Sequence, residues 1–146
     1  MQWKRVLALV AATAVLTGSN CAWAAGVETS DSDGGIAMKK IVQTAGRNAL
    51  GEFAPEFAHY NDDVLFGENW NNEDIDLKTR SMITVVALMA SGVTDSSLKY
   101  HLENAKNHGV TQKEIAAVIT HVAFYAGWPK AWAVFNLAKE VWVVDE

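Results

Sequence analysis

Two histidines, an acid and a tyrosine stand at spacings that can surround a reacting group. His101 follows Leu98 by three residues and precedes Ala105 by four, which sets it on or beside the apolar face of a helix. Glu114, His121 and Tyr125 are separated by seven and four residues. At about 100° per residue they form one stripe along the next helix, flanking its apolar face. An imidazole titrates near the working pH of most enzymes and can move a proton. The stripe and His101 are therefore expected to line one pocket. Arg80 falls in the first turn of another helix, where the helix dipole disfavours a cation. That mismatch points to an anionic partner from a substrate, another subunit or a carboxylate; pairing with Asp76 is equally open.

Each of these residues also has a plainer reading. A lone histidine beside a helical core is commonly a hydrogen-bonded packing residue. Glu114 has the spacing of a helix cap, and Tyr125 fits a core position with its hydroxyl satisfied. Trp128, Trp132 and Trp142 can line an aromatic pocket, but core or a subunit interface is the plainer reading. His101 and His108 stand seven apart, farther than the three- or four-residue spacing of helical metal pairs, so no metal site is expected. No nucleophile-elbow, zinc-protease, P-loop or dinucleotide fingerprint is present.

The elements that must position these residues read as helices throughout. Apolar residues recur at helical spacing at Ile36, Met38, Ile41, Val42 and Ala45, predicting a first helix that ends near Gly51. Pro55 suits the first turn of a second, with Phe57, Tyr60, Leu65 and Phe66 facing inward. Gly67 and the run Asn69-Trp70-Asn71-Asn72 predict a loop. Asp76 can cap a third helix through Met82, Val85, Val86 and Met89 to Gly92. Thr94 can cap a fourth, through Leu98, Leu102 and Ala105 to Gly109. Thr111 and Glu114 have capping-box spacing for a fifth, through Ile115, Val118, Ile119 and Val122. Pro129, after Gly127-Trp128, can open a sixth through Trp132, Phe135, Ala138 and Trp142. No stretch alternates long enough to demand a strand. The expected fold is all-α, one domain of about six helices over 36–146.

Composition narrows the partners. The 146 residues are half hydrophobic, enough for a single domain. Lys+Arg 12 against Asp+Glu 17 leaves a net charge of -5, without the basic footprint of a nucleic-acid binder. One cysteine excludes a disulfide scaffold. Lys4 and Arg5, the apolar run Val6 to Leu16 and the small-x-small triplet Ala22-Trp23-Ala24 predict a signal peptide over 1–24, cleaved after Ala24. Export to the periplasm or outside the cell follows, with no membrane association after cleavage. The mature chain would hold no cysteine and could run no thiol chemistry. Residues 25–35, acidic and rich in Gly and Ser, read as a disordered linker.

Four segments between Phe57 and Val143 resemble the carboxymuconolactone decarboxylase family: "NDDVLFGENW" (61–70), "LKTRSMITVVALMASG" (77–92), "HLENAKNHGVTQKEIAAVITHVAFYAGWP" (101–129) and "AKEVW" (138–142). The resemblance implies an alkylhydroperoxidase D-like helical fold, assembly as a homotrimer or homohexamer, and pockets at subunit contacts holding Arg80, His101, Glu114, His121 and Tyr125. One branch of the family reduces peroxides through Cys-x-x-Cys; matching its histidine to His101 sets Thr94 and Ser97 at the cysteine positions, and hydroxyls cannot form that disulfide. Its upstream acid falls near Arg80, where this chain has Ser81. The "TRS" and "YAGWP" regions are more similar to the branch that decarboxylates 4-carboxymuconolactone without cofactor or metal. That implies a small anionic organic substrate. Arg80 and Trp128 would bind it, while His101, His121, Glu114 and Tyr125 would carry or orient the proton transfers. A ligand-binding or ring-forming protein without turnover is the alternative.

Overall fold

The computed structural model describes residues 40–143. The expected signal peptide and linker, and the start of the first expected helix, lie outside them. Helix α1 is Ala45–Leu50 and α2 is Pro55–His59, continued by a π-helical segment Tyr60–Asn69. Four longer helices follow: α3 Leu77–Ser91, α4 Ser96–Asn107, α5 Gln112–Ala126 and α6 Trp128–Trp142. Among the described residues there is no strand, and no helix is long and apolar enough to cross a membrane.

The core lies among α3–α6. Val85 and Met89 of α3 meet Leu98 and Leu102 of α4, Ile115 and Ile119 of α5, and Val134 of α6, all fully buried. The spacing of these residues is the helical spacing read from the chain. The ends are set by local chemistry. The Asp76 carboxylate accepts the Thr79 N–H, and Gly92 closes α3 at φ 85°, a left-handed conformation that suits glycine. Thr111 and Glu114 form the expected reciprocal capping box. Helix α4 is capped by Asp95 rather than Thr94; the Asp95 carboxylate accepts the Ser97 N–H.

The N-terminal part departs from the periodic reading. Residues 40–44 are not helical; the Asn71 side chain instead binds the Ile41 backbone. Its Oδ1 accepts the Ile41 N–H at 2.7 Å and its Nδ2 donates to the Ile41 carbonyl at 2.9 Å. The buried Gln43 side chain then accepts the N–H groups of Thr44 and Ala45, and the helix starts only there. Gly67 and Asn69 are helical rather than loop: helix continues to Asn69, wound with an i→i+5 bond from Trp70 N–H to the Leu65 carbonyl, and the expected loop begins only at Trp70. Of the four inward residues expected on this stretch only Phe66 is buried. Phe57, Tyr60 and Leu65 are exposed, and the buried positions are Ala58, Asn61, Asp62 and Trp70. Polar residues take the inner side because Asp62 receives the N–H groups of Gly46 and Arg47 at 2.9 and 2.8 Å. A Cβ at Gly46 would stand 2.7 Å from the Asp62 carboxylate, so this approach requires glycine.

Candidate active site

The π-helical segment delivers the Trp70 indole to the flank of α4. Trp70 is 4% exposed and stacks on Phe66, with ring centroids 5.9 Å apart. His101 stacks on the same indole at 6.2 Å, with planes 17° apart. His108, two turns farther along, also meets it at 6.2 Å, tilted by 44°. Tyr100 packs edge-on against His101 and receives a long hydrogen bond from Gln43, tying the N-terminal segment to the cluster. Burial lowers the pKa of both His101 and His108, because an imidazolium there would lose its hydration. His101 Nδ1 is buried and has no hydrogen-bond partner among the described residues.

Helix α3 carries two further polar groups, of which Ser81 reaches this cluster. Arg80 is half-buried, and its Nη2 donates to the carbonyls of Asn72 and Ile75 at 2.8 and 3.2 Å. Both carbonyls belong to the connection between Trp70 and α3. The Asp76 carboxylate is engaged by Thr79 and does not pair with Arg80. Arg80 Nε is buried and, among the described residues, has no partner. Ser81, 1% exposed, hydrogen-bonds His108 Nδ1 at 2.8 Å and the Leu77 carbonyl at 2.7 Å.

The α5 stripe stands elsewhere in the subunit. His121 is exposed and lies beside Tyr125, with ring centroids 5.1 Å apart. Together with Val86, Ala90, Val122, Ala126 and Lys130 they line an open cavity of about 470 Å³. Tyr125 is 81% exposed, so it is not the core residue of the plainer reading. Neither His101 nor Glu114 lines that cavity, and the single expected pocket is therefore two environments within one chain. Glu114 bonds neither histidine. Lys78 and Thr111 take its oxygens, and these bonds hold its pKa down to about 2. Trp128 is exposed and packs edge-on against Phe124. Trp132 is exposed beyond it, while Trp142 is half-buried and donates its indole N–H to the Val110 carbonyl.

Residues 55–140 match the carboxymuconolactone decarboxylase family. The chain belongs to this family. It is 35% identical over 92 residues to 4-carboxymuconolactone decarboxylase of Acinetobacter baylyi, covering 63% of this chain and 68% of that protein. It is 31% identical over 103 residues to a nitrosuccinic acid decarboxylase of Metarhizium robertsii, covering 66% and 71%. An uncharacterized 15.0 kDa protein of Paracoccus denitrificans is 26% identical over 111 residues, covering 75% and 74%. The family match takes in Trp70, Arg80, Ser81, His101, His108 and the whole α5 stripe.

Sequence reasoning singled out Arg80 and His101, but not Trp70 or the Ser81–His108 pair. Trp70 fell in a run read as loop. Ser81 and His108 are 27 residues apart, and only the packing of α3 on α4 joins them. Among the described residues no three His, Cys, Asp or Glu side chains converge as metal ligands would.

Proposed function

We propose that this protein decarboxylates, or moves a proton on, a small carboxylated lactone or related enolisable acid without a cofactor. The observation that carries this reading is the pair of buried nitrogens, Arg80 Nε and His101 Nδ1, unpartnered among the described residues. A buried donor left unpaired costs about 1–3 kcal/mol, and more when charged. An anionic oxygen at Arg80 would relieve that cost. Decarboxylation needs such a group. Loss of carbon dioxide leaves a carbanion delocalised into an adjacent carbonyl, so the protein must hold a carboxylate, stabilise an oxyanion and return a proton. Arg80 binds the carboxylate; His101, neutral through burial and held flat on Trp70, faces the developing oxyanion or the proton. Two relatives are named for loss of a carboxyl group from a small acid, which supports the same reaction class.

The α5 stripe belongs to this reading through assembly. Phe124, Tyr125, Trp128 and Trp132 form an exposed aromatic face beside the His121 cavity. In a homotrimer or homohexamer a neighbouring subunit covers that face and completes a pocket around His121, Tyr125 and Trp128. Glu114 acts there as a cap and as the partner of Lys78. Export after cleavage behind Ala24 completes the proposal.

The test is turnover of 4-carboxymuconolactone, followed by ultraviolet absorbance, by the chain starting at Ala25. His101→Ala and Arg80→Ala are expected to lose turnover with helicity and particle size retained. No turnover by the unsubstituted chain rejects this substrate and favours a binding protein.

A further inference from the structure

The Ser81–His108 pair determines which nitrogen of His108 can accept a proton. Ser81 Oγ carries a single hydrogen. The Leu77 carbonyl, 2.7 Å away, can only accept, so that hydrogen points to Leu77. Towards His108 Nδ1, 2.8 Å away, Oγ therefore offers a lone pair, and Nδ1 must carry the hydrogen. We infer that Ser81, through the Leu77 carbonyl, fixes His108 as the Nδ1–H tautomer and leaves Nε2 as a proton-accepting nitrogen beside Trp70.

The surroundings suit such a base. Nε2 has no hydrogen bond among the described residues. The ring is half-buried against Trp70, the indole on which His101 stacks. Burial lowers the pKa of His108, which favours the neutral imidazole. An imidazole held by an orienting hydrogen bond on one nitrogen presents the other with a defined direction, the arrangement of general-base histidines.

For its use this inference rests on the proposed reaction class and deepens it. When the acid loses carbon dioxide, the C–C electron pair moves into the enolate and carbon must gain one proton. A neutral Nε2 takes that proton from solvent water and, as imidazolium, delivers it to carbon and regains its lone pair; the hydroxide left by the water joins the carbon dioxide as bicarbonate. Enolisable acids are thus the substrate class that His108 serves, with Arg80 on the carboxylate. Ser81 is a positioning residue in this scheme.

The decisive measurement needs no substrate. Long-range nitrogen–proton NMR on the chain from Ala25, labelled at histidine nitrogens, reads the tautomer of each ring at pH 7.5. The expected result for His108 is a protonated Nδ1 and a bare Nε2. Ser81→Ala removes the acceptor, and His108 should shift to a mixed or Nε2–H tautomer while the His101 signals stay in place. An Nε2–H tautomer in the unsubstituted chain, or a tautomer indifferent to Ser81→Ala, overturns the inference. Unchanged circular dichroism verifies that Ser81→Ala folds. In the lactone assay His108→Gln should lower kcat by about a hundredfold, and Ser81→Ala by less, both with KM retained. Full turnover by His108→Gln overturns the role of base. A chain that turns over nothing fails the decarboxylase reading, while the spectra still decide the tautomer.

Discussion

The Trp70 indole and the His101 imidazole lie face to face, 6.2 Å apart and 17° from parallel. With Nδ1 unpartnered among the described residues, this stacking does the orienting that a hydrogen bond does for His108. Trp70→Ala should therefore cost stability and site order together. Removing a buried indole costs about 3–5 kcal/mol, read as a lower urea midpoint. Trp70→Phe keeps a stacking face and should lose less, with His101 ring signals close to their original positions. Equal losses in the two variants would show that volume, not the ring contact, is what Trp70 contributes.

The two buried histidines predict how stability falls on mild acidification. Burial depresses the folded-state pKa of His101 and His108 below the ordinary 6.5. Above that value both rings are neutral in either state, and their contribution is fully present. As pH falls through it, the unfolded chain takes up protons that the folded chain refuses, so stability drops. Urea midpoints should decline between pH 7.5 and 5.5, and the decline should flatten in His101→Gln/His108→Gln. A decline of the same slope in that double variant would assign it to other groups.

Glu114 predicts a second, more acidic step. Lys78 and Thr111 lower its pKa from an ordinary 4.5 to about 2. Its contribution is present above 4.5 and is lost as pH falls towards 2, because protonation removes the charge that Lys78 meets. Glu114→Gln should lower the thermal midpoint at pH 7 and differ little from the unsubstituted chain near pH 2. A constant difference across that range would refute the linkage. The pair is part-exposed, so added salt should also shrink the difference at pH 7.

How far these features could be read from the chain depends on their range. The capping box of Thr111 and Glu114, the Asp76 cap and the Gly92 stop are decided within four residues, and they were legible. So was the core stripe of α3–α6, because burial on one face imposes its own period. Ile41 and Val42 carry the same period yet are not helical; Asn71, thirty residues away, instead binds the Ile41 backbone. The inward turn of Asn61 and Asp62 is equally hidden, since Asp62 bonds Gly46 and Arg47, fifteen or more residues away. At the site, Arg80 stood out through a dipole mismatch that the backbone carbonyls of Asn72 and Ile75 answer. His121 and Tyr125 were readable as a stripe, but a stripe does not say whether it faces the core, and this one faces outward.

That outward stripe supports the last prediction. Trp132 is 69% exposed, and Phe124, Tyr125 and Trp128, at the adjoining ends of α5 and α6, are exposed as well, a number of bare aromatic rings rare on a monomer. In the proposed ring a neighbouring subunit buries them, and Trp132 is their most peripheral indole on α6. Trp132→Glu leaves the α3–α6 core untouched, because its side chain contributes nothing to that cluster. The variant should stay helical but elute as a monomer, where the unsubstituted chain runs as a trimer or hexamer by light scattering. Turnover of the lactone should fall with assembly if His121 and Tyr125 need the neighbour, and persist if Arg80 and His101 suffice within one subunit. A chain that is already monomeric before substitution rejects the ring.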